Sequence, residues 1–142
     1  PHVNRTADQL DAISRGGYIL LDSDGDPELI LIATGSEVGL SMSAARELMA
    51  DGYRVRVVSM PCCEVFDDQP QSYRVHVLPD SQAKRLAIEA GSTACWWRYV
   101  DGKGDVLGIQ EFGQSAPAKE LFEHYGFTVE ATVEAARRML TA

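Results

Sequence analysis

The chain has 142 residues and a formal net charge of −8, and 45% of its residues are hydrophobic while 24% are charged. This composition is typical of one globular domain with a single core, and it excludes disordered and fibrous proteins. The acidic charge argues against nucleic-acid binding and against anionic membrane surfaces, because phosphate groups would be repelled. No apolar run approaches the roughly 20 residues of a membrane-spanning helix.

Residues 1–14 predict a short polar arm that lies outside the main domain. The chain starts at Pro1, without an initiator Met or a signal-peptide pattern, so we expect that it was cut or processed from a longer protein. Residues 6–14 predict a short helix, and Gly16 and Gly17 break it. We therefore expect a linker or arm over 1–14 and the folded domain over 15–142.

Two strands are predicted next, separated by a turn. Residues 18–21 predict a short strand, and the continuous apolar run at 28–33 predicts a central strand covered on both faces. The segment 22–27 is rich in Asp, Gly and Pro, which predicts a tight turn. We expect the two strands to form a hairpin.

Helical and strand patterns alternate over the rest of the chain. Helices are predicted at 38–50, within 66–78, at 94–100, at 118–125 and at 128–140, and strands at 54–59, 84–89 and 105–110. This alternation predicts an α/β fold, a three-layer sandwich around a mostly parallel five-stranded sheet with one antiparallel strand.

Ligands of open parallel sheets bind beyond the carboxyl ends of the strands. Three segments follow predicted strands, at 34–37, 60–63 and 111–117. A helix start with free backbone N–H groups attracts anions, which makes an anionic effector the candidate ligand of Thr34, Gly35, Ser36, Gln114 and Ser115. The first segment has a second interpretation, a capping box between Thr34 and Glu37. The charge favours this cap, because Glu37 already places a carboxylate at the helix start.

The three cysteines, Cys62, Cys63 and Cys95, do not form a disulfide framework, because their number is odd and two are adjacent. A reducing, cytoplasmic compartment is the natural inference. Cys62 is the better candidate nucleophile, since it precedes a predicted helix, but no local signature of a cysteine enzyme accompanies it.

The aromatic residues Trp96, Trp97 and Tyr99 favour a core edge or a domain interface over a stacking platform for a base or sugar. No metal-ligand spacing, phosphate-binding loop or nucleophile elbow is present. The residues alone predict no catalytic, cofactor-binding or metal-binding group.

Five segments in order resemble the C-terminal domain of bacterial-type transketolases, which depend on thiamine diphosphate. They are RGGYIL at 15–20, IATGSEV at 32–38, VRVVSMP at 55–61, AIEAG at 87–91 and FGQSAP at 112–117. The resemblance covers nearly the whole chain, and GFT at 126–128 also matches in place. Related thiamine-diphosphate enzymes share this fold, but the first and third segments fit transketolase best.

The resemblance implies a part of a transferase that moves a two-carbon ketol unit between ketose and aldose phosphates in the pentose phosphate pathway. Such enzymes are cytoplasmic homodimers with thiamine diphosphate and a divalent ion, magnesium or calcium. Their N-terminal and middle domains hold the cofactor, the metal and the catalytic groups, and none of those motifs maps onto a residue here. Arg5 aligns downstream of the last substrate-binding arginine of the middle domain, in the connecting segment.

The expected function is therefore that of a non-catalytic domain that packs against the N-terminal and middle domains of the same transketolase, with a role in assembly or regulation. Two alternatives stay open, a regulatory module for small anions and the C-terminal domain of another thiamine-diphosphate enzyme. A free-standing cysteine enzyme is a third possibility, supported only by Cys62. Nucleic acid and membranes are not expected partners.

Overall fold

The elements of the fold are taken from a computed structural model that describes residues 4–91, 94–102, 104–108 and 127–142. The described strands are β1 (Tyr18–Leu21), β2 (Leu29–Ala33), β3 (Val55–Ser59), β4 (Lys84–Glu89) and β5 (Asp105–Gly108). The described helices are α1 (Ala7–Ser14), α2 (Glu37–Ala50), α3 (Cys63–Asp67), α4 (Gln71–Val77), α5 (Trp97–Val100) and α6 (Val129–Thr141).

The sheet has five strands in the order β1-β3-β2-β4-β5. β2 pairs in parallel with β3 and with β4, and β4 pairs in parallel with β5. β1 alone is antiparallel, and it pairs with β3 from Tyr18 opposite Ser59. The predicted α/β class, with a mostly parallel five-stranded sheet and one antiparallel strand, is confirmed.

The central strand β2 is buried on both faces, as its uninterrupted apolar sequence predicts. Because successive side chains of a strand point to opposite faces, Leu29 and Leu31 pack with α2 and α6, including Leu48 of α2. Ile30 and Ile32 belong to a second cluster with residues of α3, α4 and α5. Helices therefore cover both faces of the sheet, in the three layers that the sequence predicts.

The predicted hairpin between β1 and β2 is wrong. β1 lies beside β3 instead, at the edge of the sheet. The reason is the composition of β2, which is apolar throughout and needs a neighbour on each side, and β3 and β4 take both places. The hydroxyl of Tyr73 in α4 donates to the carbonyl of Gly17 at 2.7 Å and helps to hold the start of β1 at this edge.

Most other predicted elements appear within one or two residues of the expected ends. The short helix with both tryptophans is shorter than predicted, since α5 begins at Trp97 and Trp96 is its N-cap. The predicted helix at 118–125, the end of the strand at 109–110 and the segment 111–117 lie outside the described residues.

Candidate functional site

The carboxyl ends of β2 and β4 meet at one edge of the sheet. The chain leaves β2 for β3 on one side of it and then returns to β4 on the other side. Connections diverge at such a point and leave a crevice, where open α/β sheets bind ligands. Thr34 follows β2, and Ala90 and Gly91 follow β4, so this edge is the candidate site that the topology predicts.

The segment from Thr34 to Ser36 forms the tight connection between β2 and α2. Gly35 has a φ of 58°, in the left-handed region that glycine tolerates. Ser36 is the N-cap of α2 but makes no side-chain capping hydrogen bond, and Glu37 is the first helical residue. The predicted capping box between Thr34 and Glu37 is therefore wrong, because the helix begins too late for Glu37 to lie in its third position.

The carboxylate of Glu37 lies at the start of α2 and is nearly buried, with 5% of the residue exposed. The hydroxyl of Ser36 donates to its Oε1 at 2.7 Å. This internal negative charge interacts with the positive end of the helix, which an external anion would otherwise use. Thr34, Gly35 and Ser36 thus lie together, whereas Gln114 and Ser115 lie outside the described residues, and their joint anion site stays a prediction.

Glu89, the last residue of β4, organises the other side of the crevice. Its Oε1 accepts the backbone N–H of Gly91 at 2.9 Å, and its Oε2 accepts the indole N–H of Trp96 at 2.8 Å. Both carboxylate oxygens are thereby used to shape the connection towards α5. Sequence reasoning missed this role, although a buried Trp needs a hydrogen-bond acceptor and an acidic residue seven positions earlier was a candidate.

The cysteines do not assemble a nucleophilic centre in the described part of the chain. Cys62 is the N-cap of α3, and its thiol contacts Oε2 of Glu64 at 3.5 Å. Burial raises the pKa of the Cys63 thiol, although a hydrogen bond with Tyr99 partly opposes this. A reactive thiolate needs the opposite shift. His76, the one histidine among the described residues, is exposed on α4.

The aromatic segment around α5 belongs to the core rather than to an open stacking surface. Trp96 and Tyr99 are buried, and their rings lie 5.9 Å apart. The hydroxyl of Tyr99 donates to Oδ1 of Asp67 at 2.8 Å, and the guanidinium of Arg98 lies 2.9 Å from the other oxygen of Asp67. Trp97 remains 46% exposed, which fits the interface part of the prediction.

Within residues 4–91, 94–102, 104–108 and 127–142, no three His, Cys, Asp or Glu side chains lie close enough to hold a metal ion. None of the helices in these ranges is long and apolar enough to cross a bilayer.

The chain matches the family described as "Transketolase-like TK C-terminal domain" over residues 16–128. It is 55% identical to transketolase 1 of Vibrio parahaemolyticus over 136 residues, which cover 96% of this chain and 20% of that protein. Its fold is similar to that of the transketolase from Leishmania mexicana, with a TM-score of 0.84 and 38% identity over 93% of this chain and 19% of the other.

A split-gene transketolase, solved as an inactive β4 tetramer, shares the fold at a TM-score of 0.68 and 22% identity, over 90% of this chain and 43% of that chain. The chain thus spans about one fifth of the length of the curated relatives it matches. Similarity in sequence and fold agrees over nearly the whole chain. The chain belongs to the family of transketolase C-terminal domains.

Proposed function

We propose that this chain is the C-terminal domain of a transketolase and serves assembly or regulation without catalysing a reaction alone. The observation that carries the proposal is the 55% identity over 96% of the chain to only 20% of a transketolase. The whole enzyme would transfer a two-carbon ketol unit between ketose and aldose phosphates, in the pentose phosphate pathway, as a cytoplasmic homodimer.

The cofactor of such an enzyme does not fit the described residues of this chain. A thiamine diphosphate site needs a divalent ion, magnesium or calcium, and oxygen ligands to hold it, and no such group occurs among those residues. Glu37 follows β2 and Glu89 ends β4, so two carboxylates lie near the carboxyl ends of these strands, where they would repel a diphosphate. We propose, as the resemblance implies, that the N-terminal and middle domains of the same transketolase bind the cofactor, the metal and the substrate.

The exposure of helix α1 is evidence that residues 1–14 form an arm leading to another domain. None of its residues is buried, and Leu10 is 55% exposed. Its N-terminus is nevertheless well formed, because Thr6 and Gln9 make a capping box at 3.2 and 2.9 Å. A capped helix without a buried face gains little from this domain. We propose that residues 1–14 pack against the preceding domain and that the domain proper comprises 15–142.

Large exposed apolar side chains support contacts of the domain with the rest of the enzyme. Leu20 of β1, Val65 of α3, Val75 of α4 and Trp97 of α5 are each 39% to 46% exposed. These residues belong to the edge strand and to the helices of one sheet face. Aromatic and apolar residues at a surface are enriched at interfaces.

The test mixes this chain with a related transketolase from which the matching fifth has been removed. The transketolase of Vibrio parahaemolyticus is produced without the segment of 136 residues that aligns with this chain. Ketol transfer is then assayed with and without the chain. We expect activity only in the mixture. A variant with both Trp97→Asp and Val65→Asp should restore less activity, because both side chains are exposed on the proposed contact surface.

Calorimetric titration of the chain alone with thiamine diphosphate and magnesium or calcium completes the test. No binding is expected at micromolar concentrations. Binding by the isolated chain, or ketol transfer by it free of other transketolase, would contradict the proposal. Failure of the mixture to restore activity while both parts are folded would argue against the assembly role.

A further inference from the structure

A cationic cavity lies on the sheet face that α3, α4 and α5 cover, away from the crevice between β2 and β4. Its volume is about 320 Å³, and its lining includes the three guanidinium groups of Arg74, Arg85 and Arg98 and one carboxylate, that of Asp67. The lining is therefore net positive in a protein whose net charge is −8. We infer that this cavity binds a small organic dianion, with its charged end on the arginines and an apolar group against the apolar residues of the lining.

Arg74 supplies the free donors. Its Nε donates to the carbonyl of Gln69 at 3.1 Å, which fixes the side chain beside the end of α3. Neither terminal nitrogen has a hydrogen-bond partner among the described residues, and no carboxylate of those residues lies within salt-bridge distance. A planar guanidinium with two free terminal nitrogens matches a carboxylate or phosphate in two-point contact.

Arg85 supplies a fixed positive charge. Its terminal nitrogens donate to the carbonyls of Tyr99 at 2.8 Å, Pro79 at 2.8 Å and Leu78 at 3.4 Å, so the guanidinium is held in place. Burial lowers the pKa of Arg85, and the nearby carboxylates of Asp80 and Asp101 oppose that effect without reaching contact. Those two carboxylates line a smaller neighbouring cavity with Arg85, not the main one.

Arg98 and Asp67 form the rim on the α5 side. The Nη2 of Arg98 lies 2.9 Å from Oδ2 of Asp67 and donates to the hydroxyl of Tyr99 at 2.8 Å. Asp67 accepts the Tyr99 hydroxyl with its other oxygen, so both its oxygens are used. Asp67 pairs with Arg98, and Asp80 and Asp101 partly offset the charge of Arg85, so the positive excess of the lining is centred on Arg74.

The size and the apolar wall of the cavity define the ligand class. Phe66, Val75 and Leu78 add apolar surface to the lining. A volume of about 320 Å³ lies at the lower end of the range of small-molecule sites. A phosphate monoester or a dicarboxylate with a small ring or alkyl group combines the required charge and apolar surface. The cavity is a better anion site than the start of α2, where Glu37 already provides the negative charge.

The experiment is a calorimetric titration of the full chain at constant ionic strength with phenyl phosphate, phthalate and inorganic phosphate. Saturable binding of at least one organic dianion at millimolar concentration is expected, and it should exceed that of inorganic phosphate. Arg74→Gln should weaken binding about tenfold or more, since it removes a charge-assisted contact. Arg98→Gln should weaken binding less, because Asp67 already pairs with Arg98. Arg46→Gln is the matched control, because Arg46 is exposed on α2 at the other sheet face.

Three results would overturn the inference: no saturable binding of either organic dianion, equal affinity for phenyl phosphate and inorganic phosphate, or unchanged affinity in both arginine variants while they fold like the original chain. Circular dichroism and thermal unfolding establish that folding. None of these measurements involves ketol transfer, so they are independent of the proposed role in a transketolase.

Discussion

The guanidinium of Arg56 in β3 forms a two-point ion pair with the carboxylate of Asp22, which follows β1. Nε lies 2.8 Å from Oδ1, and Nη2 lies 3.2 Å from Oδ2. Nη1 donates to the carbonyls of His76 and Val77 at 2.9 and 3.1 Å. One nearly buried side chain thereby joins the edge strand, a central strand and the end of α4.

Replacing Arg56 should therefore destabilise the domain more than replacing its neighbour Arg54. Arg56→Ala leaves two carbonyls and one carboxylate without their donor, and we expect a loss of about 2–3 kcal/mol in the free energy of unfolding. Arg54 is half exposed and lies 3.7 Å from Glu28. Arg54→Ala should cost about 1 kcal/mol or less. Urea unfolding of both variants measures the difference, and equal losses would contradict this account.

Gly16 is predicted to be irreplaceable for lack of space. Its φ is 83°, and an added Cβ would lie 2.4 Å from the carbonyl oxygen of Cys62 and 2.5 Å from the backbone nitrogen of Phe66. Gly16→Ala should cost about 3 kcal/mol or more, because backbone atoms cannot move aside.

Gly25 is a control for Gly16, because it has a similar backbone conformation but no atoms that would clash with an added side chain. Its φ is 79°, but an added Cβ would meet nothing within 4 Å. Gly25→Ala should therefore cost only about 1 kcal/mol, the strain of a left-handed alanine. Thermal unfolding of the two variants provides the comparison, and similar losses at both positions would show that the close approach at Gly16 is unimportant.

Much of the fold could be predicted because its strands have distinct patterns. The apolar run of β2 predicts a central strand, and the alternation with helices predicts parallel pairing. The partner of β1 could not be predicted, because a turn-rich segment of six residues fits a hairpin and an edge position equally well. The side chains that decide it, Arg56 and Asp22, are 34 residues apart, and no local pattern links them.

Stability should fall at alkaline pH through Tyr99 and Tyr73. Burial raises the pKa of both hydroxyls above the ordinary value of 10.0, and for Tyr99 the hydrogen bond to Asp67 raises it further. A group whose pKa is higher in the folded than in the unfolded state adds to the free energy of unfolding below its unfolded-state pKa. This addition is lost as the pH rises through the pKa of the folded state. The free energy of unfolding should therefore decline above about pH 10.

Tyr99→Phe identifies the source of that decline. The variant lacks the titrating hydroxyl, so the slope of stability against pH above about 10 should be shallower than in the original chain. The double variant with Tyr73→Phe should be shallower still. Urea unfolding along a pH series measures the slopes. An unchanged slope in the double variant would assign the alkaline loss to other groups, such as Cys63, whose pKa is also raised.

Two threonines near helix starts, Thr128 and Thr34, should differ in their contribution to the free energy of unfolding. The Oγ1 of Thr128 accepts the backbone N–H of Ala131 at 3.1 Å and caps α6. Thr128→Ala should cost about 1 kcal/mol. Thr34 precedes α2 but does not cap it, so Thr34→Ala should cost clearly less. Thermal unfolding tests this order. A larger loss of stability in Thr34→Ala would support the capping box between Thr34 and Glu37 that the sequence predicts.

The candidate site is only partly predictable from the sequence, because contacts between side chains of different elements leave no local pattern. Thr34, Gly35 and Ser36 could be identified because they directly follow a predicted strand. The sequence does not show that the Ser36 hydroxyl donates to Oε1 of Glu37 at 2.7 Å. The cavity with Arg74, Arg85 and Arg98 is built by three helices and a strand that no motif connects. Sequence patterns locate elements, whereas sites made by several elements depend on side-chain directions.

The strand order has a consequence for how the chain folds. β2 needs both of its neighbours before its backbone groups are paired, and Leu29 lies opposite Val55 on one side and Lys84 on the other. During synthesis, this uncharged segment therefore emerges long before its second neighbour exists. Such an apolar segment with high strand propensity self-associates readily when it is exposed. Early packing of α2 against Leu29–Ala33, as in the folded domain, would limit this association.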